Sequence, residues 1–324
     1  MRNNQRLGNL VSKYVLHVFF VFGFLLLPFF TFAPEFELKT GRGNQPVTAI
    51  FVGDIMLSRA IGEIMESRED WAFPFRLLDS RIKNADIAFA NLENPVSLVG
   101  ENQGSVYSFR ADPKALSGLL FAGFDIVSVA NNHMFDWGPD AFLDTIKHLS
   151  DVGIRHVGGG ANINDARKPA IINRGGMNFH FLAYSQFTSK SVLVDVPSMA
   201  PLDLNIMRED ISNLGADSSV VVVSIHWGEE YETSPSTLQR KIAYELIDAG
   251  ADLVIGHHPH VIQEVEVYGN GLIAYSLGNF IFDQNFSEET SRGLILEVVF
   301  SDGDILSYKT TEVNFNEKYQ PFIP

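Results

Sequence analysis

The sequence of 324 residues contains no cysteine. Disulfide frameworks, thiolate zinc sites, iron–sulfur clusters and cysteine nucleophiles are therefore excluded, and any bound metal must be held by His, Asn and carboxylate side chains. Basic residues are also scarce: 24 Lys and Arg stand against 39 Asp and Glu, giving a formal charge of −15. The basic footprint expected of a general nucleic-acid binder is missing. Neither internal repeats nor low-complexity segments occur. With 46% hydrophobic and 19% charged residues, the chain is too apolar for disorder and long enough for one large catalytic domain or two small ones.

Charge is absent altogether between Val18 and Ala33, a stretch rich in phenylalanine; Arg2, Arg6 and Lys13 precede it, and Glu35 and Glu37 follow. This is the layout of a secretory signal or an N-terminal membrane anchor. Tyr14–Ala33 has the roughly 20 residues needed to cross the hydrocarbon. Pro34 at the cleavage point and Phe30 in place of a small residue favour an uncleaved anchor, with the remainder outside the cytoplasm; a cleaved segment makes the protein secreted. Residues 1–34 are thus read as anchor or signal and 35–46, with Gly41, Gly43 and Asn44, as a polar linker. The domain spans 47–315. Without Arg2, Arg6 and Lys13 the exported part is more acidic than the whole chain.

From Val47 onward short apolar runs alternate with amphipathic stretches. The predicted strands are Val47–Val52, Ile87–Ala90, Ile126–Ala130, Ile154–Val157, Val220–Ile225 and Leu253–Ile255. Helices are predicted near Asp112–Phe121, Pro139–Leu149, Leu204–Leu214 and Ser236–Ala249, with Pro139 and Pro235 at tolerant first-turn positions. Three hairpins interrupt this order: Pro169–Ser185 around Arg174-Gly175-Gly176, Val261–Leu277 around Gly269-Asn270-Gly271, and Ile295–Val313 turning at Ser301–Asp304. The expectation is an α/β domain with a mixed sheet or two packed sheets.

In such folds ligands gather beyond the carboxyl ends of strands. Here these ends deliver Asp54, Glu93, Asn132-His133, His226 and the run His257-His258-Pro259-His260, which together hold five of the nine histidines. Each residue alone has an ordinary structural reading, such as a helix cap, a turn or a core histidine. Their convergence predicts a metal site. His258 and His260, two apart on an extended segment, are expected to share a face and His257 to point away, in a supporting or structural role. Imidazole, amide and carboxylate donors suit one or two divalent ions such as Mn, Zn, Fe or Ni.

The ordered motifs GD, NLE, NNH, IHWG and GHHPH, followed by SLGNFIFDQ at Ser276–Gln284, resemble the CapA (poly-γ-glutamate capsule synthesis) family of the calcineurin-like metallophosphoesterases. The resemblance covers about Val47 to Phe300 and implies two packed mixed β-sheets flanked by helices. It further implies that Asp54 and His260 bind a first metal, Glu93 bridges, and Asn132, His226 and His258 complete a second. His133 would protonate the leaving group, with Asp136 as its orienter. Arg59 is a candidate for holding substrate phosphate and Asn279 for completing the pocket. Two departures stand out: Met56 replaces the histidine of the D-x-H signature, and Glu93 replaces an aspartate. Gly158–Asn162, also similar to the family, is read either as an anion-binding turn or as a strand-to-helix connector; Trp227 is expected to line the pocket, and Glu229 and Glu230 to cap the next helix. The implied role is membrane-anchored hydrolysis of an envelope polymer or a phosphorylated precursor, alongside other capsule or envelope subunits. The alternative is a non-catalytic assembly subunit that binds or exports an anionic polymer.

Overall fold

The computed structural model describes residues 45–188, 195–214 and 220–324; the expected anchor and all but the end of the linker lie outside the described residues. Among the described residues, no helix is long and apolar enough to cross a membrane.

Four parallel strands, β1 (Val47–Ile55), β2 (Ile87–Leu92), β3 (Ile126–Ser128) and β4 (Arg155–Val157), lie side by side in chain order. A two-residue strand, β5 (Gly159–Gly160), pairs with β8 (Ser198–Met199). The second sheet contains β6 (Ala170–Arg174), β7 (Met177–Ser185), β9 (Val220–His226), β10 (Leu253–His257), β11 (Val265–Tyr268) and β12 (Gly271–Ala274), in the order β11-β12-β10-β9-β7-β6. Its four inner strands are parallel, and the two edge strands are hairpin partners. The chain then returns to the first sheet. The end of β1 pairs in parallel with β13 (Asn279–Ile281), while its start pairs antiparallel with β14 (Arg292–Ser301), followed by β15 (Asp304–Phe315) and β16 (Pro321–Phe322). Pairing thus continues beyond residue 315.

Period-two alternation along the strands builds the layers. Ala49 and Phe51 of β1 join Phe179, Phe181, Val222 and Ile255 in a core between the two sheets, whereas Ile50 and Val52 face a different core. Phe89 of β2 and Phe181 of β7 stack at 5.8 Å across the inter-sheet space. Outside the first sheet pack α1 (Arg59–Ser67), α2 (Asp79–Lys83), α3 (Leu116–Ala122) and α4 (Gly138–Val152), through residues such as Ile61, Ile82, Leu119 and Phe142. Outside the second pack α5 (Ile163–Ala166), α6 (Leu204–Ser212) and α7 (Thr237–Asp248), through Ala166, Met207, Ile211 and Leu246. Two mixed sheets face each other and helices cover both outer faces, as expected from the sequence.

All six predicted strands and three hairpins form. At the first hairpin Gly175 and Gly176 take φ of +58° and +85°, as a two-residue turn requires. Ser236 caps α7 through a reciprocal box with Gln239, which places Pro235 just outside the helix. The sequence announces neither α1 nor β13, nor the short α2, α5, β5, β8 and β16. The nine-residue α1 opens at Arg59 with φ +53°, and its N-cap residue Ser58 makes no side-chain cap because its hydroxyl donates to the Met56 sulfur. The glycines of the Gly158–Asn162 turn serve close packing: a methyl group on Gly158 would lie 2.7 Å from the Ala130 Cβ and 2.8 Å from the Ala183 carbonyl.

At the strand starts, opposite the carboxyl ends, one device recurs. Asp86, Asp125 and Asp252 each precede a parallel strand and each accept, through the carboxylate, the N–H of one residue on the neighbouring strand: Thr48, Ala88 and Val221 respectively. Each aspartate returns its own N–H to that same residue's carbonyl. Burial pushes the Asp252 carboxyl up to about 6, against the lowering effect of the Val221 N–H. Its folded pKa thus exceeds the unfolded one, so the penalty is absent at low pH, grows between about 4 and 6, and is complete above that. Asp252→Asn keeps the acceptor for Val221 and loses the charge. We expect its melting temperature to exceed wild type by roughly 2–4 °C at pH 8 and the difference to vanish near pH 4; a pH-independent difference would contradict the account.

Candidate metal centre

The carboxyl ends of the parallel strands in both sheets meet at one place. Asp54 lies near the end of β1, Glu93 one residue past β2, Asn131 to His133 after β3, His226 at the end of β9 and His257 at the end of β10. Asp54 is strand, not a helix cap, and sits in register beside Asn279 of β13. Asp54, Glu93, His226, His258 and His260 are all buried.

The two carboxylates are held by an amide. Asn91 Nδ2 donates to Asp54 Oδ1 at 2.8 Å and to Glu93 Oε2 at 3.1 Å. Asn131 in turn donates to Asn91 Oδ1 at 3.0 Å and to the Leu92 carbonyl at 2.8 Å. His257 Nδ1 lies 3.0 Å from Asp54 Oδ1, so this ring supports the site carboxylate instead of facing away as expected. Asp54 Oδ2 accepts the His258 N–H at 3.3 Å and lies 3.3 Å from His260 Nδ1.

The other Glu93 oxygen has a different situation. Oε1 is buried and has no hydrogen-bond partner, although His260 Nε2 lies at 3.4 Å and His133 Nε2 and His226 Nε2 at 4.0 Å. Asn132 Oδ1 is 2.9 Å from His226 Nε2, and His257 Nε2 and His258 Nδ1 are buried nitrogens without a hydrogen-bond partner. Asn279 Oδ1 sits 2.9 Å from His260 Nδ1 while its Nδ2 donates to the Thr290 carbonyl at 2.9 Å. Asn279 thereby fixes the His260 ring with Nε2 toward Glu93, an orienting role of the kind metal-binding histidines need.

The protonation pattern follows from burial and charge. Burial and the neighbouring Asp54 charge push the Glu93 carboxyl well above the usual range. Burial also pushes Asp54 up, but hydrogen bonds from His257 and His260, with their attraction, overcome it and hold Asp54 well below its usual value. Burial, reinforced by His258, keeps His226 well below the ordinary histidine value, and burial with the His260 charge takes His258 down to about 3. Both imidazoles stay neutral at physiological pH and keep a lone pair.

The histidine run is not extended. His258 and His260 have φ of +97° and +56°, so the alternation expected to put them on one face does not operate; the turn itself brings their rings to 5.9 Å. Arg59 and Tyr231, which border the same site, also have positive φ. Such backbone conformations cost about 1–3 kcal/mol each and concentrate at functional sites.

The remaining sequence candidates fall around this cluster. His133 Nδ1 is 2.8 Å from Asp136 Oδ2, and the Phe109 N–H also donates to that oxygen at 2.8 Å. Arg59 ion-pairs with Asp283 at 3.0 Å and lies over the Phe109 ring, which also packs against His133 at 4.0 Å and Phe282 at 5.9 Å. Trp227, expected to line the pocket, is instead fully buried in the core of the second sheet, where its Nε1–H donates to the Tyr275 carbonyl. Met56 is also fully buried, and its sulfur accepts from the Ser58 N–H and hydroxyl at 3.1 and 3.0 Å. Asn91 lies outside the expected set; Glu230, expected as a helix cap, has its carboxylate grouped with His258 and His260, and His257 serves in support, as a direct neighbour of Asp54. Asn91 had a readable signal, since residues two apart on a strand share a face and Glu93 follows it by two.

A buried Asp/Glu/His cluster at the strand ends of two packed mixed sheets fits a metal site. Unpaired Glu93 Oε1 and His258 Nδ1, beside the neutral His226, suit a borderline divalent ion as donors. The chain belongs to the family described as Bacterial capsule synthesis protein PGA_cap, whose model matches residues 48–284. It is 33% identical over 264 residues to "Capsule biosynthesis protein CapA" of Bacillus anthracis, covering 78% of this chain and 64% of that protein, just under two thirds of the relative's length. It is 29% identical over 288 residues to "PGA biosynthesis protein CapA" of Bacillus subtilis, covering 86% of this chain and 76% of that protein. A hypothetical protein from Thermus thermophilus shares the fold with a TM-score of 0.51 at 15% identity, over 82% of this chain and 98% of that one.

Because burial and the Asp54 charge raise the Glu93 carboxyl above the usual carboxylate range, protons compete with an ion for that oxygen to a higher pH than at an ordinary carboxylate. Mn²⁺ or Zn²⁺ binding is therefore expected to release protons, and affinity should fall as pH falls. Calorimetry in buffers of different ionisation enthalpy measures this; a heat independent of buffer would count against it.

Proposed function

We propose that the protein is a metal-dependent hydrolase of the phosphoesterase type, displayed outside the cytoplasm from its N-terminal anchor and acting on a capsule or envelope polymer or its phosphorylated precursor. The supporting observation is the His133–Asp136 pair at the edge of the buried cluster. The His133 side chain is 12% exposed, against 0% for Glu93 and 1–2% for His226 and His260, so it is the ring that a bound substrate can reach.

In the proposed site Asp54, Glu93, Asn132, His226, His258 and His260 hold the ion or ions. A bound divalent ion supplies Lewis-acid polarisation of the substrate's phosphoryl or ester oxygens and acidifies bound water. The chain's own residues do the rest. Asp136 accepts the Nδ1–H of His133 and, itself pinned by the Phe109 N–H, fixes the ring so that Nε2 faces the cleft. A protonated Nε2 can then deliver its proton to a leaving oxygen as general acid. Arg59 stands beside this pair over Phe109, paired with Asp283, where a substrate phosphate can exchange for the carboxylate. Membership of a capsule synthesis family and the names of its relatives point to a capsule polymer or precursor as substrate.

The purified chain loaded with Mn²⁺ or Zn²⁺ should turn over members of a phosphomonoester and phosphodiester panel. His133→Ala should lower kcat by about 10²–10⁴-fold with unchanged metal content, and Asp136→Asn should lower it less. No turnover by wild type, together with unchanged capsule polymer from cells carrying His133→Ala, would defeat the catalytic reading and leave a role in polymer assembly or export.

A further inference from the structure

The D-x-H position that resembles a metal-ligand signature is chemically closed in this chain. Met56 offers a soft thioether, fully buried and engaged by both the N–H and the hydroxyl of Ser58. A borderline divalent ion gains little from such a donor. Across the site, the loop after β9 brings in a donor that the sequence motifs do not assign. Glu230, His258 and His260 each present a ligand atom, and all three atoms lie within 4.8 Å of one another. Asp54, Glu93 and His226 form a second such group, and the 3.4 Å approach of His260 Nε2 to Glu93 Oε1 links the two.

Exposed acidic side chains alone mean little, but two further observations bear on Glu230. One is His258 Nδ1, buried and without a hydrogen-bond partner in that group. A buried polar nitrogen left unpaired costs about 1–3 kcal/mol, which a coordinated ion removes. The other is the anchoring of the Glu230 loop to the histidine turn: Trp227 N–H donates to the His257 carbonyl at 3.1 Å, Tyr231 N–H to the Pro259 carbonyl at 2.8 Å, and Gln263 Nε2 to the Glu232 carbonyl at 2.7 Å. Tyr231 adopts φ +68° in making its contact, and its hydroxyl bonds to the Glu230 carboxylate. A surface carboxylate is thus held beside two buried imidazoles by a strained, hydrogen-bonded loop.

We propose that Glu230 is a ligand of the divalent ion held by His258 and His260, supplying an anionic donor in a site where Met56 contributes none. This rests on the metal-dependent reading above. The test is calorimetric titration of Mn²⁺ into the metal-free full chain, with Mn²⁺ paramagnetic resonance to count bound ions. Glu230→Gln keeps the shape of the side chain and removes the charge, and circular dichroism confirms that it is folded. The expected result is at least a tenfold loss of affinity for one ion or loss of that ion, with neighbouring Glu229→Gln behaving as wild type. The loss should persist in about 0.5 M KCl, because screening by salt abolishes the influence of a merely nearby charge but not the loss of a ligand. Wild-type affinity in Glu230→Gln, or a deficit that disappears in salt, overturns the proposal and leaves the metal reading intact. A wild-type chain that binds no Mn²⁺ overturns that reading as well.

Discussion

Asp54 and Glu93 are withdrawn completely from water and share one amide donor, Asn91. Burying a charge costs several kcal/mol per ion even after relaxation, and two carboxylates side by side add repulsion. The site answers this unequally. Asp54 gathers His257, His260 and the His258 N–H and stays ionised, while Glu93 keeps one oxygen without a hydrogen bond and binds a proton more readily. The unsatisfied oxygen faces three imidazole nitrogens. A cation at that place would satisfy Glu93, His226 and His260 together, so the same feature that strains the metal-free fold gives the centre its purpose.

The scaffold makes that strain tolerable by holding backbone unusually close to backbone. A methyl group on Gly53 would lie 1.9 Å from the Gly278 carbonyl, one on Gly256 1.8 Å from the Tyr275 carbonyl, and one on Gly293 1.8 Å from the Asn279 carbonyl. These contacts bring β13 against β1 and seat Asn279 beside Asp54, and they hold the strand that ends at His257 against the segment after β12. Each ligand therefore projects from a strand end or a turn braced by neighbouring backbone. The positive φ of His258 and His260 is sustained by that bracing and by the hydrogen bonds of the Glu230 loop.

Much of this was legible because it follows from local chemistry. Strand and hairpin positions follow from apolar runs and turn glycines, and Asp54, Glu93, Asn132, His133, His226, His258 and His260 were gathered by one rule about strand ends. What escaped depends on backbone geometry or long-range packing. The pairing of His258 with His260 was expected for the wrong reason, since a left-handed turn, not strand alternation, brings them together. His257 has the supporting role the sequence suggests, but the same turn directs its ring at Asp54 instead of away from it. Trp227 was read as a pocket residue because it follows His226, yet the chain turns its ring into the outer core. Glu230 reads as a helix cap in the sequence, because a carboxylate on an exposed loop looks like any other polar turn residue until the fold lays that loop against the histidine turn. Asn279 was placed near the pocket, but its task of orienting His260 emerges only once β13 is seen beside β1.

A divalent ion at the unpaired Glu93 Oε1 would complete this buried cluster. The most direct measurement is an anomalous-scattering map at the manganese edge, from crystals of the chain grown with Mn²⁺. The account predicts a peak at about 2.0–2.3 Å from Glu93 Oε1 and from at least one of the His226, His258 and His260 nitrogens. A map with no peak there, and Glu93 Oε1 hydrogen-bonded to water or to a protonated histidine instead, would contradict it.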